Sequence, residues 1–158
     1  MVGISVVVPA RNEEGALPEL IAEIHQALEG RAHEVLIVDD GSTDATPRLL
    51  AELAAADPGL RPIRHEISCG QSAALYTGIR AAKGALIVTL DGDGQNDPRF
   101  IPLLLAPLDD PAIGLVAGQR VGRKASWSKR WGSKAANAVR GWLLADGTRD
   151  SGCGLKAG

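Results

Sequence analysis

Short apolar runs alternate with helix-length segments along most of the chain. Residues 4–8, Ile-Ser-Val-Val-Val, are β-branched and predict a strand. Leu17, Leu20, Ile21, Ile24 and Leu28 then recur at the spacing of one helical face. Residues 34–38 predict a second strand, ended by Asp39-Asp40-Gly41. Ser42, Thr43 and Asp44 offer N-caps for a helix through Leu49, Leu50 and Leu53, stopped at Asp57-Pro58-Gly59. Residues 60–66 predict a third strand, 71–82 a third helix ended by Gly84, and 85–90 a fourth strand. Asn96-Asp97-Pro98 opens a helix through Leu103, Leu104 and Leu105, and residues 113–117 predict a fifth strand. This alternation implies an α/β fold with a mainly parallel sheet and helices on both faces.

The 158 residues suit one domain with its own core. No run approaches the ~20 apolar residues that cross a bilayer. The first residues lack a basic segment followed by a long apolar one, so no export signal is expected. Cys69 and Cys153 are far apart and show no metal-ligand spacing, which argues for a reducing, cytoplasmic setting. The net charge of −2 conceals an asymmetry, with −9 over residues 1–118 and +7 over residues 119–158. Trp127, Trp131 and Trp142 fall in the basic part. At helical spacing they share a wedge with Ala135 and Ala138, while Arg130, Ser133, Asn137 and Arg140 form a polar arc. Such an end suits an anionic partner, which an anionic membrane or a polyphosphate supplies as well as nucleic acid.

In parallel α/β sheets, ligands gather outside the carboxyl ends of the strands. Three predicted strands end in unusual polar chemistry, at Pro9-Ala10-Arg11-Asn12-Glu13-Glu14, at Asp39-Asp40-Gly41-Ser42 and at Asp91-Gly92-Asp93-Gly94-Gln95. Carboxylates gathered on one edge repel unless a cation or a hydrogen-bonding ligand lies among them. Asp91-Gly92-Asp93 offers hard oxygen donors of the kind Mg²⁺ and Mn²⁺ take. An EF-hand is excluded, because Asn96 stands where that loop needs Gly and Pro102 where it needs Glu. The plainer alternative is a solvated strand-ending turn. Asp39-Asp40 exceeds what helix capping requires and suits a ribose diol or a base N–H. Neither a Walker motif nor G-x-G-x-x-G occurs.

Taken in order, 6–14 (Val-Val-Val-Pro-Ala-Arg-Asn-Glu-Glu), 38–44 (Val-Asp-Asp-Gly-Ser-Thr-Asp) and 91–95 (Asp-Gly-Asp-Gly-Gln) resemble the motifs of family 2 glycosyltransferases. With Gln95 and the segment 150–156, Asp-Ser-Gly-Cys-Gly-Leu-Lys, they resemble the branch of dolichol-phosphate mannosyltransferase and bacterial undecaprenyl-phosphate glycosyltransferases. Gly94 departs from the Leu more usual there. The resemblance implies a GT-A fold and inverting transfer of a sugar from a GDP- or UDP-sugar to a polyisoprenyl phosphate. It implies that Pro9, Arg11 and Glu13 border the nucleotide and that Asp39 or Asp40 holds its base or ribose. Asp91, Asp93 and Gln95 would hold Mg²⁺ or Mn²⁺ on the diphosphate. Arg120, Arg130 and Ser133 match the family's positions near the donor diphosphate and the acceptor phosphate, and Gln71 lies at a turn that opens a helix toward the donor. The implied setting is peripheral, on the inner face of the membrane, with no nucleic acid as partner. The implied domain is a single GT-A catalytic unit over residues 1–158, lacking the last acceptor-side elements of the family.

The chemistry fits a phosphate acceptor, which is ionised near neutral pH and needs positive positioning groups rather than a base. His25 and His33 read as surface residues, and His65 lies nearer a strand end. Three alternatives stand beside this one. A family 2 enzyme elongating a soluble or cell-wall glycan would need a carboxylate base beyond Asp93, for which Asp150 is the candidate. A phosphorelay receiver would explain Asp39-Asp40 and leave the first strand–helix unit without a role. A donor-binding fragment without turnover is the third.

Overall fold

The computed structural model describes residues 3–118 and 155–158. The elements alternate as expected, with β1 (Ile4–Ala10), α1 (Leu17–Ala27), β2 (His33–Asp40), α2 (Thr46–Ala56), β3 (Leu60–His65), α3 (Gln71–Ala81) and β4 (Leu86–Thr89). A 3₁₀ turn at Pro98–Phe100, the short helix α4 (Ile101–Leu105), a second 3₁₀ turn and the two-residue strands β5 (Val116–Ala117) and β6 (Lys156–Ala157) follow. The described residues form a six-stranded sheet in the order β3-β2-β1-β4-β6-β5. β1 pairs in parallel with β2 and β4, β2 pairs in parallel with β3, and β6 runs antiparallel to β4.

The chain steps from β1 out to β2 and β3, then returns past them to β4. Right-handed crossovers therefore put α1 and α2 on one face and α3 on the other. Strands covered on both faces must be apolar on both sides, which is why Val6, Val7, Val8, Leu36, Ile37 and Val38 are fully buried without alternation. Gly78 lets α3 sit close on the sheet, because a Cβ there would meet Val7 Cγ1 at 2.3 Å and Val38 Cγ2 at 3.1 Å.

Three local expectations need correction. β1 and β2 run two residues further than the apolar pattern, so Pro9, Ala10, Asp39 and Asp40 belong to the sheet. Ser42 and Thr43 do not cap α2, whose preceding residue Ala45 makes no side-chain cap bond. The Ser42 hydroxyl instead accepts the Asn12 backbone N–H (2.9 Å), and Asp44 accepts that of Thr46 (2.9 Å). The expected fifth strand shrinks to Val116–Ala117, with residues 113–115, including Gly114, outside any regular element. The Trp-bearing segment 127–144 lies outside the described residues.

The opposite edge of the sheet is fastened by a buried carboxylate. Glu34 accepts hydrogen bonds from Ser5 Oγ (2.7 Å), from the Lys83 backbone N–H (2.7 Å) and from Arg61. The Ser5 hydroxyl in turn accepts the Gly84 N–H at 2.8 Å, so β1, β2, β3 and the α3–β4 turn meet at one point. Burial pushes the Glu34 carboxyl upward, but the bonds from Ser5, Arg61 and Lys83 outweigh it and leave the group below its ordinary value. A carboxylate lowered in the folded state stabilises the fold above its unfolded value and loses that contribution as pH falls. Urea unfolding between pH 7 and pH 3 is therefore expected to show a steeper loss of stability in the native chain than in Glu34→Gln. Parallel pH profiles would contradict this.

Candidate functional site

The loops at the carboxyl ends of β1 and β2 are laced together by polar side chains. Asn12 adopts a left-handed backbone (φ 55°), which Asn tolerates better than most residues. Its Oδ1 accepts the Thr43 N–H (2.9 Å), while Glu13 N–H donates to Thr46 Oγ1 (3.1 Å) and Ala45 N–H to Glu14 Oε2 (2.8 Å). The first two motifs are thus one structural unit.

Asp39 and Asp40 are adjacent on a strand, so they point to opposite faces. Asp40 Oδ1 accepts from His65 Nδ1 and the Cys69 N–H, both at 2.8 Å. Its Oδ2 accepts from Ser68 Oγ (2.7 Å) and the Gly70 N–H (2.8 Å). Burial opposes the charge on Asp40, but these four bonds overcome it and hold the carboxyl far below the usual carboxylate range. Gly41 makes the close approach possible, since a Cβ there would stand 2.7 Å from Ser68 N. Asp39 is buried on the other face, where Oδ1 accepts the Ser42 N–H (3.0 Å) and Arg64 Nε lies 3.7 Å from Oδ2. That Oδ2 has no hydrogen-bond partner.

Beyond β4, Gly92 tucks against β1, where a Cβ would meet the Pro9 carbonyl oxygen at 2.8 Å. The glycine between the two carboxylates is therefore required by packing. Asp91 is oriented by two amides, from Gln71 Nε2 (2.7 Å) to Oδ1 and from Asn96 Nδ2 (3.2 Å) to Oδ2. Asp93 is exposed, and its Oδ1 accepts the Gln95 backbone N–H at 3.0 Å.

These strand ends enclose a pocket of about 390 Å³ lined by Pro9, Arg11, Glu13, Asp40, Gln71, Asp91 and Asp93, with Ala10, Ser68, Gly70 and Gly92 between them. It lies where the strand order reverses, between β1 and β4, the usual ligand crevice of an open parallel sheet. Burial raises the Glu13 carboxyl, and the negative charges of Asp93 and Asp44 raise it further. Like charges meeting around oxygen donors fit a hard divalent cation.

The structure thus brings together seven of the residues singled out from the sequence. Asp39 and the Gln95 side chain are not among the lining, and Arg120, Arg130 and Ser133 lie outside the described residues. Ser68 was missed, although a Ser-Cys-Gly run between a strand and a helix start is a loop signal. The sequence places Asn96 at a helix opening; in the structure its side-chain amide also orients Asp91. Among the described residues, no helix is long and apolar enough to cross a membrane.

The family model for glycosyl transferase family 2 matches residues 5–153. Among solved structures, the mannosyltransferase PcManGT from Pyrobaculum calidifontis, in complex with GDP-Man and Mn²⁺, is 29% identical over 74% of this chain, with a TM-score of 0.66. Glucosyl-3-phosphoglycerate synthase from Mycobacterium tuberculosis, in complex with Mn²⁺, uridine-diphosphate and phosphoglyceric acid, is 27% identical over 99% of this chain, with a TM-score of 0.76. S. aureus TarS 1-349, at 23% identity over 80% of this chain and a TM-score of 0.61, shares the fold. The chain spans 35%, 55% and 39% of the lengths of these three structures.

Charge-assisted hydrogen bonds contribute about 1.5–3 kcal/mol each, and about 1.4 kcal/mol is tenfold in an equilibrium. Asp40→Asn turns one acceptor oxygen into an amide that faces donors of the loop. Its Cys69 and Gly70 amides are expected to exchange with deuterium at least about tenfold faster than in the native chain, with the β1–β2 amides unaffected. Unchanged protection at 69 and 70 would remove Asp40 as the loop's anchor.

Proposed function

The chain belongs to glycosyl transferase family 2, and from that premise we propose that it is a metal-dependent, inverting hexosyltransferase using a GDP- or UDP-sugar and a polyisoprenyl phosphate of the dolichol or undecaprenyl kind. The observation that carries the donor half is the convergence of three motif-bearing strand ends on one pocket at the β1–β4 crevice. In this reading residues 1–158 act as one GT-A catalytic domain.

Of the acidic pair, Asp40 is the one that lines the pocket, so the nucleoside is assigned to it. The Ser68 hydroxyl is a rotor, and its turning away frees Asp40 Oδ2 for a base N–H or a ribose hydroxyl. Arg11 lines the same pocket and offers positive charge to the diphosphate. Asp93 is the carboxylate best placed to hold Mg²⁺ or Mn²⁺, with Asp91 fixed beside it and Glu13 adding negative charge. When bound, such a cation neutralises the departing nucleoside diphosphate as a Lewis acid. Similar structures hold Mn²⁺ with GDP-Man or with uridine-diphosphate, which supports the same donor class here.

The acceptor half rests on the motif resemblance and on the +7 charge of residues 119–158, which suits an anionic lipid surface at the cytoplasmic face. A second reading, transfer to a soluble phosphorylated acid, is favoured by the M. tuberculosis synthase, whose structure contains phosphoglyceric acid. In that case an acceptor hydroxyl needs a base, and Asp150 is the candidate.

Sugar transfer from radiolabelled GDP- and UDP-sugars should be measured with polyisoprenyl phosphate in anionic vesicles and, separately, with phosphoglyceric acid. The expected result is a lipid-linked product that requires metal, and cosedimentation with anionic but not neutral vesicles at low salt. Product from phosphoglyceric acid alone would replace this acceptor by the soluble one. In Asp93→Ala, metal-dependent nucleotide affinity is expected to fall about tenfold to a hundredfold with an unchanged fold, and undiminished affinity would take Asp93 out of the metal shell.

A further inference from the structure

The pocket wall formed by the β3–α3 loop holds a second cluster, which shares Asp40 with the donor pocket and adds two side chains that sugar transfer does not use, His65 and Cys69. Asp40, His65 and Cys69 each present one ligand atom, all within 4.8 Å of one another. They combine a carboxylate oxygen, an imidazole nitrogen and a thiol sulfur. That donor set suits Zn²⁺ and related thiophilic cations, whereas the all-oxygen set near Asp93 suits Mg²⁺ or Mn²⁺.

Several features of the cluster resemble a metal site prepared by its surroundings. His65 Nδ1 faces Asp40 Oδ1 at 2.8 Å, while its other ring nitrogen is held by Thr77 Oγ1 at 2.9 Å. An outer hydrogen bond of that kind fixes the orientation of a ligating imidazole. Asp40 is itself held in place by the backbone N–H groups of Cys69 and Gly70. Cys69 is exposed, and its thiol makes a weak 3.4 Å contact with the Ile67 carbonyl. Metal bonds of about 2.0–2.3 Å in a tetrahedron separate the ligand atoms by roughly 3.3–3.8 Å. The thiol has at most about an ångström to close, and the His65–Asp40 pair opens by about half an ångström to admit the cation.

We propose that Asp40 Oδ1, His65 Nδ1 and Cys69 Sγ form a second cation site, selective for Zn²⁺-like ions, with a fourth position left to water. On binding, the thiol proton leaves to solvent and the imidazole proton stands on Nε2, donated to the Thr77 hydroxyl. The cation occupies the place of the proton between His65 and Asp40, and nothing is oxidised or reduced. Because Asp40, Ser68 and Gly70 line the donor pocket, a bound Zn²⁺ locks that wall and competes with the nucleoside for Asp40. This competition rests on the proposed donor reading, whereas the site itself does not.

Co²⁺ serves as the spectroscopic probe, titrated into the reduced 158-residue chain. The expected result is an intense tetrahedral visible spectrum with a thiolate-to-cobalt charge-transfer band, displaced by equimolar Zn²⁺ and untouched by excess Mg²⁺. The exposed Cys69 makes Cys69→Ser the decisive variant, expected to keep its far-UV dichroism and lose the band, while Cys153→Ser retains it. Absence of a charge-transfer band, its survival in Cys69→Ser, or its loss in Cys153→Ser would overturn the site. Loss of nucleotide binding on Zn²⁺ loading of the native chain but not of Cys69→Ser is expected from the competition. Unchanged nucleotide binding alongside an intact cobalt band would overturn the competition and leave the site standing.

Discussion

The four hydrogen bonds converging on the Asp40 carboxylate are the constraint on which the pocket depends. A carboxylate has about four acceptor positions, and the chain fills all of them from His65, Ser68, Cys69 and Gly70. The loop that follows β3 is thereby drawn over the end of β2, and α3 is launched with its first residue, Gln71, able to reach Asp91. One buried acid therefore connects the second motif to the third. Gly41 and Gly92 are the steric counterparts of that connection, each lying where a side chain would collide with neighbouring backbone.

Charge explains why these contacts surround an open space rather than a packed one. Glu13, Asp40, Asp91 and Asp93 line one small pocket, and such a group is poorly matched to an apolar filling. Asp40 and Asp91 are compensated within the chain, by donors from the loop and by the amides of Gln71 and Asn96. Glu13 and Asp93 are less so, and the Glu13 carboxyl is raised by burial first and then by the negative charges of Asp93 and Asp44. The compensated pair gives the pocket its shape, and the uncompensated pair gives it an appetite for a cation. Glu34, which is not among the pocket lining, fastens β1 to the α3–β4 turn in the same way.

Much of the fold is legible in the sequence because a sheet buried on both faces leaves an unbroken apolar signature in β1 and β2. The ends of those strands are not legible that way, since Pro9, Ala10, Asp39 and Asp40 continue the sheet with residues chosen for the pocket. Periodicity also misassigned Ser42 and Thr43, because a hydroxyl before a helix looks like a cap whether it serves its own helix or, as here, the neighbouring Asn12 loop. The pair Asp39-Asp40 was recognisable as more than a turn. Which of the two faces the pocket depends on strand register, and no local pattern encodes that. The sequence puts His65 near a strand end, but its partnership with Asp40 and Cys69 arises from β2–β3 pairing, which sets Asp40 opposite His65.

In the proposed reading, the crevice between β1 and β4 binds a nucleoside diphosphate through a divalent cation held at Asp93. The most direct test of that reading is anomalous diffraction at the manganese edge from crystals of the chain grown with Mn²⁺ and GDP or UDP. The expected result is an anomalous peak in contact with Asp93, with the diphosphate beside it and the nucleoside against Asp40. A nucleotide bound elsewhere, or a peak away from Asp93 with the pocket empty of nucleotide, would contradict it.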